Sequence, residues 1–313
     1  MNSINPINSI NPINSTNPKN STNPNNSVYV VITPVRDEVR YVGLTFQSMI
    51  SQTIKPAEWI IVDDGSKDGT GELVDRLAEP HDWVRVIHRP DRGFRNRFGG
   101  EIEAFNEAYS RIKNKGWEFL VKLDGDLSFD PDYFERCLQE FLNDSQLGSG
   151  GGTVCAFRNG RVEVESKGDP AFHVRGATKI YRRACWEKIG PLLTAPGWDT
   201  IDEVTANLSG WKTRSFPQII LIQHKPTGSS EGSCQNWFKS GLANYHSGYH
   251  PIFMVGKCLN RLAQRPLGLA SLGLFCGFLS GYLRGVPRAA SKEVVAYLRQ
   301  QQLNWIFGRP SIY

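Results

Sequence analysis

The hydrophobic pattern divides the chain into short apolar runs, most of them followed by a stretch in which apolar residues recur every three or four positions. Val28-Tyr29-Val30-Val31-Ile32-Thr33-Pro34 is a β-branched run and predicts a strand closed by proline. Tyr41 to Ser51 has helical spacing through Leu44, Phe46, Met49 and Ile50. Trp59-Ile60-Ile61-Val62-Asp63-Asp64 predicts a second buried strand, and a helix follows, capped by Thr70, with Leu73, Val74 and Leu77 on one side. Val84 to His88 is a third short strand, Arg89 to Gly100 a loop, and Ile102 to Ile112 a helix. Phe119-Leu120-Val121-Lys122-Leu123 reads as a fourth strand, buried and parallel, that ends in Asp124-Gly125-Asp126. Four strands alternating with three helices predict a doubly wound parallel sheet. Carboxylates then end the second and fourth strands on one edge, where open α/β sheets bind ligands.

The second half is less regular. A helix over Tyr133 to Leu142, capped by Asp130 with Pro131 behind it, leads to a glycine-rich run, Gly148 to Gly152, and a hairpin around Asn159-Gly160. Phe172 to Tyr181 is strand-like, with Gly176 where a ligand could come close to the backbone, and Arg183 to Ile189 is helical. Gly197-Trp198-Asp199-Thr200-Ile201-Asp202-Glu203 opens a helix that stops at Gly210, and Thr213 to Ile222 is a strand with His224 at its end. The expected organisation is a tail over 1–27, a sheet domain over 28–230 and a helical region over 231–313.

Within that last region Leu267 to Leu283 carries no charge. At ~1.5 Å per residue such a helix reaches about 26 Å, short of ~30 Å of hydrocarbon. Gly273, Gly277 and Gly281 form a small-residue stripe, and Arg261, Arg265, Arg284 and Arg288 flank the segment in a way suited to anionic head groups. It reads as an interfacial or membrane-inserted helix, an oligomer contact over 267–283, or a buried helix of the domain. Ser291 to Gln302 is amphipathic.

Composition narrows the class. Hydrophobic content of 40%, charged content of 21% and a net charge of +5 are those of an ordinary globular protein. The basic residues form no stripe with interleaved aromatics, which argues against nucleic acid as a partner. Six cysteines without a Cys-x-x-Cys pair read as free thiols in a reducing compartment, so a cytoplasmic location is expected, with peripheral contact at the cytosolic membrane face as its extension. The Asn-, Ser- and Pro-rich tract at the start is expected to be disordered, and it has neither the basic start nor the apolar centre of a signal peptide.

Two carboxylates one glycine apart repel each other, so Asp124-Gly125-Asp126 makes most sense with a divalent cation or a hydroxyl between them; Asp126 as a simple helix cap is the plainer alternative. Pro34 and Glu38 after the first strand, Val62-Asp63-Asp64-Gly65-Ser66 after the second, and Asp124-Gly125-Asp126 after the fourth together resemble the family 2 glycosyltransferases of the GT-A fold, from about Val28 to His224. That resemblance implies an α/β GT-A domain, Rossmann-like with a mostly parallel sheet flanked by helices, followed by a helical C-terminal extension. It also implies an inverting transfer from a UDP- or GDP-sugar to a hydroxyl acceptor, a glycan or lipid-linked precursor.

By the same resemblance Pro34, Arg36, Glu38, Asp63 or Asp64, Arg97 and Asp124 would hold the donor. Asp126, with Asp124 and His224, would ligate Mg²⁺ or Mn²⁺. Glu203, or Asp202 beside it, would be the general base, as first-turn carboxylates at the positive end of a helix dipole. Glu101 stands where many members carry a lysine, and Arg95 and Arg97 are candidates for the missing charge. A sugar-nucleotide nucleotidyltransferase is disfavoured because no glycine-rich loop follows the first strand. A carbohydrate- or nucleotide-binding protein without turnover remains an alternative.

Overall fold

A computed structural model describes residues 23–93, 99–158, 160–165, 168–225, 233–262 and 268–313, with backbone alone at 233 and 234. The first part alternates as expected: β1 (Tyr29–Val35), α1 (Val42–Ile50), β2 (Glu58–Asp63), α2 (Thr70–Ala78), β3 (Val84–His88), α3 (Gly100–Ser110) and β4 (Phe119–Leu123). β3, β2, β1 and β4 lie side by side in that order, all parallel. Both faces of β1 are covered, so odd and even positions feed different cores. Tyr29 and Val31 pack with Phe46, Trp59 and Val121 on one side, while Val30 and Ile32 pack with Ile60, Phe105 and Leu120 on the other. That is why these strands read as unbroken apolar runs.

The continuation is mixed. β5 (Leu127–Phe129), α4 (Tyr133–Asn143), β6 (Leu147–Arg158), β7 (Arg161–Val164), β8 (Thr178–Arg182), α5 (Arg183–Ile189), α6 (Trp198–Leu208) and β9 (Lys212–Gln223) follow. The sheet extends from β4 through β8, β6 and β9 to β5, with β7 paired to β6. β8 runs antiparallel to both β4 and β6 while β6 and β9 pair in parallel, so the four alternating strands form the parallel part that was expected and the later strands join it as a mixed extension.

Several boundaries differ from the expectation. β1 continues through Pro34, which is buried and lies in register with Val62. Thr70 does not cap α2: Gly69 does, in the left-handed region, while the Thr70 hydroxyl accepts the Glu38 N–H at 2.8 Å. Nor does Asp130 cap α4, whose N-cap position is Asp132 with no side-chain cap bond. The strand expected over 172–181 begins only at Thr178. Of the tail, residues 1–22 lie outside the described residues, and Pro24–Asn26 form a 3₁₀ turn with Pro24 buried.

Four helices complete the chain: α7 (Ser233–His246), α8 (Pro251–Asn260), α9 (Leu269–Leu283) and α10 (Lys292–Ile306). They share a third core in which Tyr245, Met254, Leu274, Phe278 and Leu298 pack with Ile201 and Val204 of α6. α9 lies directly on α7. A Cβ on Gly277 would sit 1.9 Å from the Phe238 carbonyl oxygen, and one on Gly241 2.0 Å from that of Leu274. Two members of the small-residue stripe, Gly277 and Gly281, are therefore used inside the chain, Gly281 against the Tyr245 ring. Among the described residues no helix is long and apolar enough to cross a membrane.

Candidate active site

The ends of β1, β2 and β4 open onto one edge, and the loops there supply the acidic groups. After β1 the backbone turns through Asp37, a non-glycine residue at φ +54°. Its amide donates to Ser66 Oγ at 3.0 Å and its carboxylate accepts the Lys67 amide, so the loops after β1 and β2 hold each other. Asp63 closes an Asx turn on the Ser66 amide at 3.0 Å and meets His88 Nδ1 at 3.1 Å. Asp64 lies under arginines: Arg89 donates to it at 2.5 Å, Arg92 binds its other oxygen, and Arg36 donates to its carbonyl. Glu38 reaches across to Lys225 at 2.6 Å, tying the β1 loop to the far end of β9.

At the end of β4 the central group is Lys122, a residue that sequence reasoning treated only as part of the strand. Its ammonium is buried, ion-paired with both Glu101 and Asp124, bonded to the Gly176 carbonyl at 2.6 Å and 5.5 Å from the Trp198 ring. Glu101, which stands where many family members carry a lysine, is thus itself ion-paired with a lysine of β4. Arg95 and Arg97, the expected suppliers, lie outside the described residues. Gly125 keeps its turn tight for a reason internal to the chain, since a Cβ there would come within 2.5 Å of Val35 Cγ1.

Asp126 is buried and accepts from Gln223 Nε2 at 3.2 and 3.4 Å. Burial pushes its carboxyl up to about 6, helped by the negative charge of Glu38. Burial likewise pushes Asp124 up to about 7, with Glu101 and Asp126 adding to the effect against the pull of Lys122. His224 donates its backbone N–H to the Asp126 carbonyl at 2.9 Å and places Nε2 2.8 Å from Ser128 Oγ. Burial lowers its pKa, which favours the neutral imidazole.

Two buried carboxyls with raised proton affinity suit a hard divalent cation, whose charge would relieve the repulsion. Among the described residues no three His, Cys, Asp or Glu side chains converge on one point. Mg²⁺ needs no such cage where substrate phosphates and water complete its shell.

The third part of the site is α6. Its left-handed Gly197 cap brings Trp198 over Gly176, where a Cβ would strike the indole at 2.8 Å, and within 5.5 Å of the ammonium groups of Lys122 and Lys179. Asp202 and Glu203 fall in the second turn, so the helix-dipole expectation applies instead to Asp199, the first-turn carboxylate.

Both expected bases are buried and heavily bonded. Asp202 binds Lys179 Nζ at 2.8 and 3.0 Å and accepts from Tyr181 OH at 2.5 Å. Glu203 binds Lys179 at 2.8 Å, His173 Nδ1 at 2.9 Å and the Val174 amide at 2.7 Å. Asp199 is partly exposed. Burial raises its pKa, but the positive charges of His173, Lys179 and Arg175 outweigh this and hold it below the usual carboxylate range. Its position in the first turn was readable from the sequence; that its neighbours at 202 and 203 are engaged was not.

Contacts link the acidic groups in two sets. Asp64 leads through Arg92 to Glu103, and Glu101, on the same turn of α3, leads through Lys122 to Asp124 and Trp198. Lys179, 5.3 Å from the centre of that ring, leads to Asp202 and Glu203.

The chain is similar to known proteins in sequence and in fold. Residues 30–191 match the family model described as glycosyl transferase family 2. A chondroitin synthase from Pasteurella multocida is 32% identical over 121 residues, which cover 39% of this chain and 11% of that protein. An undecaprenyl-phosphate mannosyltransferase from Micrococcus luteus is 28% identical over 110 residues, 35% of this chain and 42% of that one. The chain therefore spans about a tenth of the first of these relatives and under half of the second.

Among solved structures, the mannosyltransferase PcManGT from Pyrobaculum calidifontis, in complex with GDP-Man and Mn²⁺, superposes with a TM-score of 0.54 at 17% identity, over 88% of this chain and 80% of that one. S. aureus TarS 1–349 in complex with UDP-GlcNAc gives 0.55 at 14% identity, over 90% and 92%. These likenesses establish the GT-A fold, and with more than half of the sequence under the family model the chain belongs to the family 2 glycosyltransferases.

Proposed function

We propose that this protein transfers a sugar, with inversion, from a UDP- or GDP-sugar to a hydroxyl of a glycan or lipid-linked acceptor, assisted by Mg²⁺ or Mn²⁺. The observation that carries the reading is the gathering of carboxylates at the ends of β2 and β4 on one edge of the sheet, with Asp124 joined through Lys122, Trp198 and Lys179 to Asp202 and Glu203 of α6. Solved neighbours holding GDP-Man with Mn²⁺ and UDP-GlcNAc support the donor class, and the names of the two curated relatives support the acceptor class.

Arg36, Glu38 and the Asp63–Asp64 pair would frame the nucleoside beside Pro34, with Arg97 toward the phosphates. Asp126, with Asp124, would hold the cation, donor phosphates and water completing its shell, and His224, whose imidazole meets Ser128 in this structure, would join them only after turning. When bound there, the cation would offset the charge that grows on the departing diphosphate.

The general base belongs to α6. Asp202 and Glu203 are engaged with Lys179, His173 and Tyr181, and they serve best by fixing those groups and, through Lys179, the Trp198 ring. Asp199, partly exposed and ionised at neutral pH, is the carboxylate of this helix best placed to accept the acceptor's proton.

Calorimetry with UDP- and GDP-sugars, with and without Mn²⁺, tests the donor reading, and failure to bind either nucleotide overturns it. Asp126→Ala is expected to remove the metal dependence. Asp199→Asn is expected to lower kcat by roughly 10²-fold or more with donor affinity unchanged. If Asp199→Asn retains turnover and Glu203→Gln loses it with fold and donor binding intact, the base is Glu203.

A further inference from the structure

We propose that the exposed faces of α8 and α9 form a docking surface for an anionic lipid bilayer, on which the protein lies without crossing it. Ile252, Val255 and Leu259 on α8 and Leu272, Phe275 and Leu279 on α9 share the spacing i, i+3, i+7, which puts each trio on one side of its helix. All six are between 39% and 62% exposed. The opposite side of α9 is packed on α7 through Leu274, Gly277 and Phe278, so this helix has an inward stripe and a separate outward one.

The two outward faces are neighbours: Ser271 Oγ donates to the Cys258 carbonyl at 2.7 Å where the helices meet. Trp305 of α10, 51% exposed, stacks edge-on against Phe253 of α8 at 5.6 Å and extends the surface with an interfacial residue. Contiguous apolar surface on this scale is unusual on a monomer facing only water.

Charge identifies the occupant. From Gly232 to Lys292 the chain contains no Asp or Glu and seven Lys or Arg, whereas the rest carries two more acidic than basic residues. Arg284 and Lys292 are exposed, and Arg261 and Arg288 partly so. A second copy meeting this face isologously would set the cationic rim against itself. Anionic head groups complement it, each cation near such a surface adding to binding. The outward leucines and Phe275 would enter the boundary between head groups and acyl chains as an amphipathic surface does. At 15 residues α9 is about 22 Å long, too short to span.

The test is flotation of the full chain with vesicles of phosphatidylcholine alone and of phosphatidylcholine with phosphatidylglycerol, at low and high salt. The expected result is binding to the anionic vesicles that weakens with salt. Leu272→Glu/Leu279→Glu should reduce it about tenfold or more, and Arg284→Glu by a smaller factor, with melting temperature unchanged because all three positions are exposed. The proposal is overturned if the wild type stays with the unbound fraction, if neither variant alters binding, or if light scattering shows a dimer that Leu272→Glu/Leu279→Glu converts to monomer.

Discussion

Lys122 stands on β4 with its ammonium between Glu101 and Asp124, and both acids hold its pKa high, to a degree that overcomes burial. Lys122→Met keeps the length of the side chain and leaves Asp124 beside Asp126 without a counter-charge. It should lower stability by about 3 kcal/mol, read by urea unfolding at neutral pH. His173 gives a pH signature. Burial alone would lower its pKa, but the Glu203 carboxylate wins and raises it from 6.5 to about 9. The stabilisation is then complete below pH 6.5 and disappears as pH rises through 9, up to about 3 kcal/mol in all. Urea midpoints of the wild type should fall across that window relative to His173→Gln; parallel curves for the two would remove this role. Neither Lys122 nor His173 was marked by spacing, because each owes its importance to partners far away in the chain.

At the scale of elements, what could be read in advance was what depends on local pattern. β1 to β4 and their helices follow from apolar runs and three-to-four spacing, and the carboxylates at the strand ends follow from them. The segment before β8 was misread as strand because its composition is strand-like. There the backbone instead turns so that the Val174 amide meets Glu203 and the Gly176 carbonyl meets Lys122, a demand set by tertiary structure. The choice among Asp199, Asp202 and Glu203 was hidden for the same reason. The α7–α9 pair offers an element-scale check. Gly277→Ala would place its Cβ against the Phe238 backbone, which has no rotamer to escape into, so α7 and α9 must separate. A loss of about 3 kcal/mol or more is expected, with a lower urea midpoint followed by Trp237 fluorescence. An unchanged midpoint would mean the helices are less closely seated.

For the molecule as a whole, the C-terminal helices and the sheet are joined through α6 and through Tyr313. The Tyr313 ring packs edge-on against Phe172 at 5.1 Å and tilted against Phe253 at 4.9 Å, and its hydroxyl accepts from Gln302 at 3.0 Å. Unfolding should therefore be a single transition. Tyr313→Ala should lower stability by about 2 to 3 kcal/mol and broaden the calorimetric peak toward two components, the helical region melting first. A sharp peak at an unshifted temperature would show that α6 alone couples the two parts. The uneven allocation of acids and bases along the chain has an effect that needs no contact at all. With every carboxylate side chain lying outside residues 232–292, the protein carries a permanent electric moment. Near a negatively charged plane that moment exerts a torque before any leucine touches lipid, so collisions would arrive pre-oriented, and added electrolyte would slow capture more than it speeds release.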